Sequence, residues 1–186
     1  MAMTTLYQTA LNDLARVFDR LDPDPTAPLL DALCTAGQIV VCGAGRERLQ
    51  IMGFAMRLHH LGLRVAVAGD MTAPPVGAGD LLLVTSGPGA TATMLTLMAV
   101  ARAAGAQVAL ITAQPAAPAA ALADLVLTLP AQTMADDQGG RAGSVLPMGS
   151  LFEGALFVLF EVLVLHLIAR LHIDPDAMRA RHTNLE

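Results

Sequence analysis

Two Gly-rich turns hold the residue types in this sequence best suited to gripping a small charged ligand. The first runs Cys42-Gly43-Ala44-Gly45-Arg46-Glu47-Arg48 and the second Thr85-Ser86-Gly87-Pro88-Gly89-Ala90-Thr91, and each joins an apolar strand-like stretch to a helix-like one. A helix N-terminus presents unpaired N–H donors and the positive end of its dipole. Two of them converging at the carboxyl edge of a parallel sheet suit an anion such as a sugar phosphate. Gly43, Gly45, Arg46, Glu47, Ser86, Gly87 and Thr91 are therefore the candidate binding residues. For either turn alone, tight strand-to-helix packing explains the glycines equally well. The first turn is not a dinucleotide fingerprint: Arg48 stands where G-x-G-x-x-G needs its third glycine, and only Asp70 approaches the place of the acidic ribose partner.

Composition removes several other chemistries. All 11 basic residues are Arg, so lysine Schiff bases and Walker-type phosphate loops are excluded. Cys34 and Cys42 have no metal-ligand or disulfide-scaffold spacing and read as small core residues, and no pair among the 5 His residues has the spacing of a metal site. A net charge of −5 speaks against nucleic acid and anionic membranes as partners. The N-terminus lacks the basic start and apolar run of a signal peptide, from which a cytoplasmic protein is expected. With 54% apolar and 15% charged residues in 186, one domain with a large buried surface is expected, part of that surface lying between subunits.

The elements that must position the two turns follow from periodicity. Residues 4–20 and 28–36 read as helices separated by the Pro-rich run Asp22-Pro23-Asp24-Pro25-Thr26-Ala27-Pro28. Short, uniformly apolar strands are expected over 38–43, 64–69, 80–86, 107–112 and 124–130, with helices over 47–61 and 91–104 and a short one near 118–123. Strands apolar on both faces and alternating with helices predict a doubly wound three-layer α/β/α sandwich around a five-stranded parallel sheet. Residues 1–36 would form N-terminal helices, 38–130 the α/β core, 131–149 a polar Gly-rich loop facing a ligand, and 151–186 the C-terminal helices of a single domain. The stretch 151–171 approaches a membrane span in length and apolarity, but Glu153, Glu161 and His166 interrupt it, so a helix buried at an oligomer interface is expected instead.

These segments carry a family resemblance. Residues 43–46 (GAGR), 54–62, 69–74, 80–91 (DLLLVTSGPGAT), 146–153 (LPMGSLFE) and 178–186 (MRARHTNLE) resemble, in order along the chain, the sugar isomerase (SIS) domain, and more narrowly the 6-phospho-3-hexuloisomerases. The resemblance implies a homodimeric or homotetrameric enzyme, needing no metal or organic cofactor, that interconverts a 3-hexulose 6-phosphate and fructose 6-phosphate through an enediol. It further implies Glu153 as the base, with His60 and His182 assisting proton movement on the oxygens and His182 reaching a neighbouring subunit's site. The residues alone leave alternatives open. Glu153 could merely complement a helix dipole, and His60 could be a surface histidine. A silent or regulatory SIS protein binding another sugar ligand is the rival reading.

Three positions depart from the family pattern. Glu47 and Pro88 stand where hydroxyl-bearing residues usually contact the substrate phosphate, and Ala90 replaces a frequent acidic residue, while Ser86 and Thr91 remain. A carboxylate about 5 Å from a phosphate charge would oppose it by about 3 kcal/mol per unit charge at an effective dielectric of 20. The alternative is a Glu47 that points to solvent, screened by Arg46 or Arg48.

Overall fold

The computed structural model describes residues 3–21, 25–137 and 143–185, so residues 22–24 of the run 22–28 and residues 138–142 of the loop 131–149 lie outside the described residues. The parallel strands β1 (Ile39–Cys42), β2 (Val65–Val67), β3 (Leu81–Thr85), β4 (Gln107–Thr112) and β5 (Leu125–Thr128) form one sheet in the order β2-β1-β3-β4-β5. Ile39 lies beside Val65 on one side and Leu81 on the other, which fixes the register of the three strands nearest the site. The chain winds outward from β1 to β2 and then returns to place β3 on the other side of β1. That reversal leaves a crevice at the carboxyl ends of β1 and β3, where open α/β sheets bind ligands.

Alternate strand residues feed two cores. Ile39, Val41, Leu81, Leu83 and Ile111 face one layer, formed by α1 (Met3–Asp19), α2 (Ala27–Thr35), α3 (Gly45–His60) and α5 (Ser150–Leu171). Val40, Cys42, Leu82, Val84 and Leu110 face the other, formed by α4 (Ala92–Ala103) and the 3-10 turn Pro118–Leu122. Both faces of the sheet are covered, which is why its strands read as continuous apolar runs. Cys42 sits inside the second core, where burial pushes its thiol up to about 12, as expected of an inert packing residue.

The structure shows what covers one face of 151–171. Helix α5 is long and apolar enough to cross a membrane, but Leu151, Phe152, Leu156, Leu159, Phe160, Leu163 and Leu167 are buried within this chain's own core. Phe54 of α3 stacks on Phe160 at a centroid distance of 4.4 Å. A helix apolar around its circumference cannot declare which neighbour covers it, and here half of its most apolar window is covered from within the chain. Glu161 is explained by its ion pair with Arg57 of α3 at 3.2 Å, and His166 by exposure. Phe157, Val162 and Leu165 on α5 and Leu49, Met52 and Met56 on α3 are the large apolar side chains left exposed on this pair of helices.

Candidate active site at the switch point

The loop after β1 begins with Gly43, whose missing Cβ is a requirement: an added one would lie 2.5 Å from Thr85 Oγ1 at the end of β3. Gly45 then adopts a left-handed conformation (φ +56) and opens α3, so Arg46 and Glu47 enter the first helical turn side by side. They turn in different directions.

Arg46 reaches across to the start of α5. Its Nε lies 3.2 Å from Glu153 Oε1, Nη1 donates to Ser150 Oγ at 2.9 Å, and Nη2 donates to the Met148 carbonyl. That carbonyl is aimed by an unusual turn, because both Met148 (φ 54) and Gly149 (φ 79) are left-handed. A left-handed Met is a sterically costly conformation that surrounding contacts must hold in place. The segment before α5 therefore clamps the guanidinium while Gly149 places Glu153 in the first helical turn. Burial raises the Glu153 carboxyl above its ordinary range, and Arg46 opposes the rise.

Glu47 does not point to solvent, nor does Arg46 or Arg48 screen it. It crosses the crevice to the second loop, where the Gly87 N–H donates to both carboxylate oxygens at 3.1 Å. Arg46 is committed to α5 and Arg48 to the Ala68 carbonyl and Asp70, so neither basic neighbour neutralises it. Burial pushes the Glu47 carboxyl up to about 7; the Gly87 N–H opposes the shift, the Glu153 charge adds to it, and the Thr85 hydroxyl opposes it last. The other candidate residues line the second loop. Ser86 and Thr91 hydroxyls lie 3.2 Å apart, the Gly87 carbonyl accepts from Thr112 Oγ1 and the Ala113 N–H, and the Gly89 N–H donates to the Ser86 carbonyl. Pro88 offers no N–H.

His60 and His182 are brought together, but elsewhere. They stack with centroids 5.1 Å apart at the far end of α3, where Arg181 donates to the His60 carbonyl and lies over Gly62. Thirteen residues of helix separate Glu47 from His60, about 20 Å at 1.5 Å per residue. Within one chain the histidine pair thus stands apart from Glu153. It borders a hollow of about 560 Å³ lined by Met56, Arg57, Met178 and Arg179. Sequence reasoning missed the buried hydroxyls of Thr85, Thr112 and Thr133 around the second loop. The signal was present, since a polar Thr ends each of the apolar runs of β3 and β4. Among the described residues no cluster of His, Cys, Asp and Glu could hold a metal ion.

Fold and site together define a small-ligand α/β domain whose carboxylates gather at the topological switch point. The comparisons narrow this class: the model of the SIS domain family matches residues 32–153, and the chain belongs to that family. It is 40% identical over 175 residues to a 3-hexulose-6-phosphate isomerase of Mycobacterium gastri, covering 94% of this chain and 87% of the relative. It is 32% identical over 186 residues, the whole of both chains, to a 3-hexulose-6-phosphate isomerase of Bacillus subtilis. Among solved structures, a Methanococcus jannaschii protein whose structure infers that same function superposes with a TM-score of 0.84 at 27% identity, covering 97% of this chain and 98% of that one.

Proposed function

We propose that the chain is a cytoplasmic sugar-phosphate isomerase that interconverts a 3-hexulose 6-phosphate and fructose 6-phosphate, without a metal or organic cofactor. The observation that carries this reading is Glu153: a carboxylate partly withdrawn from water, its basicity raised by burial, and oriented by a clamped Arg46 at the switch-point crevice. In the proposed reaction, Glu153 removes the proton from C2 of the 3-ketose as the C3 carbonyl oxygen gains a proton. The resulting enediol then loses the O2 proton, and Glu153 returns its proton to C3, leaving the carbonyl at C2. A raised pKa suits a group that must accept and return a proton near neutrality.

His60 and His182 enter this reading through assembly. The exposed apolar residues of α3 and α5 support a homodimer or homotetramer in which the histidine pair of one chain completes the crevice of another. Mixing a purified E153Q chain with a purified H182N chain tests both points at once. If sites are shared, re-equilibrated dimers should regain about a quarter of the natural isomerase activity, because half are mixed and each mixed dimer holds one intact site. Activity no greater than the sum of the separate variants would show that His182 acts within its own chain or not at all. The second reading, a sugar-binding SIS protein without isomerase activity, is favoured by one observation, the occupation of the second loop by Glu47. Absence of fructose 6-phosphate turnover by the natural protein would select it.

A further inference from the structure

The Gly87-Pro88-Gly89 stretch of the second loop has no backbone donor left over. Its Gly87 N–H is held by both oxygens of Glu47, position 88 has no N–H, and the Gly89 N–H is turned back onto Ser86. The Gly87 position is closed on its other sides, where an added Cβ would lie 3.0 Å from Thr133 Cγ2 and 3.1 Å from Phe152 Cδ1. An anionic ligand group at this loop therefore competes with a carboxylate fixed to the same chain.

We propose that Glu47 is a tethered anion that controls admission to this crevice: a phosphorylated sugar enters only by displacing its carboxylate from the Gly87 N–H, and one proton is taken up from solvent onto Glu47 as it does so. The inference rests on the sugar-phosphate reading above.

The proton uptake follows from the charges that face Glu47. On its own helix, Arg46 is paired with Glu153 and Arg48 with Asp70. From α5 it faces the carboxylate of Glu153, whose charge raises its proton affinity. The segment after β5, whose Thr133 borders Gly87, carries Asp136 and Asp137, and Asp136 accepts from Gln114 and Thr133. Among the described residues no ion pair forms on Glu47. A phosphate arriving beside Glu47 and Glu153 would bring a third anionic group to a crevice with one committed guanidinium. Protonating Glu47 relieves this most directly, because burial and the Glu153 charge already raise its proton affinity and displacement removes its one backbone donor.

The test is calorimetric titration of fructose 6-phosphate into the natural protein, E47Q and E47S across neutral pH, in paired buffers of different ionisation heat. The glutamine keeps the shape and can still accept from Gly87, so E47Q isolates the charge, and its own pH profile accounts for titration of the phosphate. The natural protein should take up close to one proton more than E47Q above pH 7, and its affinity relative to E47Q should fall about tenfold per pH unit there. E47Q should bind tenfold or more tightly at alkaline pH.

Equal affinities and equal proton uptake in the natural protein and E47Q would overturn the proposal while leaving the sugar-phosphate reading intact. Tightening in E47S alone, with no difference in proton uptake, would overturn the charge argument in favour of simple obstruction. No binding by any of the three at any pH, with cooperative thermal unfolding showing each to be folded, would overturn the sugar-phosphate reading and this proposal together.

Discussion

Glu47 and Asp13 are two withdrawn carboxylates in one small domain, each accepting from backbone N–H, and they are shifted in opposite directions. Asp13 of α1 is 3% exposed and accepts from Ser144 Oγ at 2.7 Å and the Val145 N–H at 2.9 Å, with Arg16 beside it. Burial alone would raise its pKa, but Ser144, Val145 and Arg16 together hold the carboxyl below its ordinary value. Glu47 has one N–H and a like charge opposite, so burial wins and the carboxyl rises to about 7. The anionic form of Asp13 has enough donors to build structure with. Glu47 is left under-compensated in a crevice, the arrangement expected where ligand binding takes precedence over stability.

The largest effect expected from this contrast falls on Glu153, the carboxylate that Glu47 faces. E153Q should lower turnover of fructose 6-phosphate by ~10² or more while largely preserving its binding, as for loss of a general base. Steady-state kinetics and calorimetry on the same preparation decide it. An unchanged turnover number would remove Glu153 from the mechanism and leave Glu47 without its proposed neighbouring base.

Next in size is the structural carboxylate. D13A should destabilise the fold by about 3 kcal/mol at neutral pH, because it leaves a buried N–H and hydroxyl without their charged acceptor. Denaturant unfolding measures this. The loss should reach the active site indirectly, since Asp13 anchors Ser144 and Val145 just before the Met148-Gly149 turn that aims the Arg46 clamp. A D13A chain with natural stability would put Asp13 and Glu47 in the same class and dissolve the contrast.

Much of this architecture was legible because local pattern and tertiary environment agree. The apolar runs ending at Thr85 and Thr112 are short and bounded by turn residues, as strands covered on both faces are, and the Gly-rich turns after β1 and β3 each open a helix as expected. Other features depend on partners distant in sequence. The direction of Glu47 is set by Gly87, forty residues on, and nothing in the first turn distinguishes that rotamer from a solvent-facing one. Asp13 meets Val145 across 132 residues and carries no local sign of burial beyond one polar position on an apolar helix face. Helix α5 illustrates the converse, since a stretch with no polar face reports burial without reporting what buries it.

The smallest expected effect is also the most diagnostic, because the two carboxylates bend the stability profile at opposite ends. The Glu47 carboxyl is raised from 4.5 to about 7, so the folded chain retains a proton that the unfolded chain has released between these values. Its stabilising contribution is complete below pH 4.5 and is lost as pH rises through about 7. Asp13 is lowered from 3.8, so its contribution is complete above that value and is lost on acidification through its lower folded-state pKa. E47Q should therefore match the natural protein near pH 4 and exceed it near pH 8 by about 1–2 kcal/mol, the shift having been discounted for the solvent that still reaches this half-buried group. D13N should instead lose its deficit only in strong acid. Unfolding free energies of the natural chain and both variants across this range test the pair. An alkaline gain in E47Q that is absent near pH 4 fits a charge held in the crevice at a cost to the fold, whereas parallel curves would mean that Glu47 carries its charge in water.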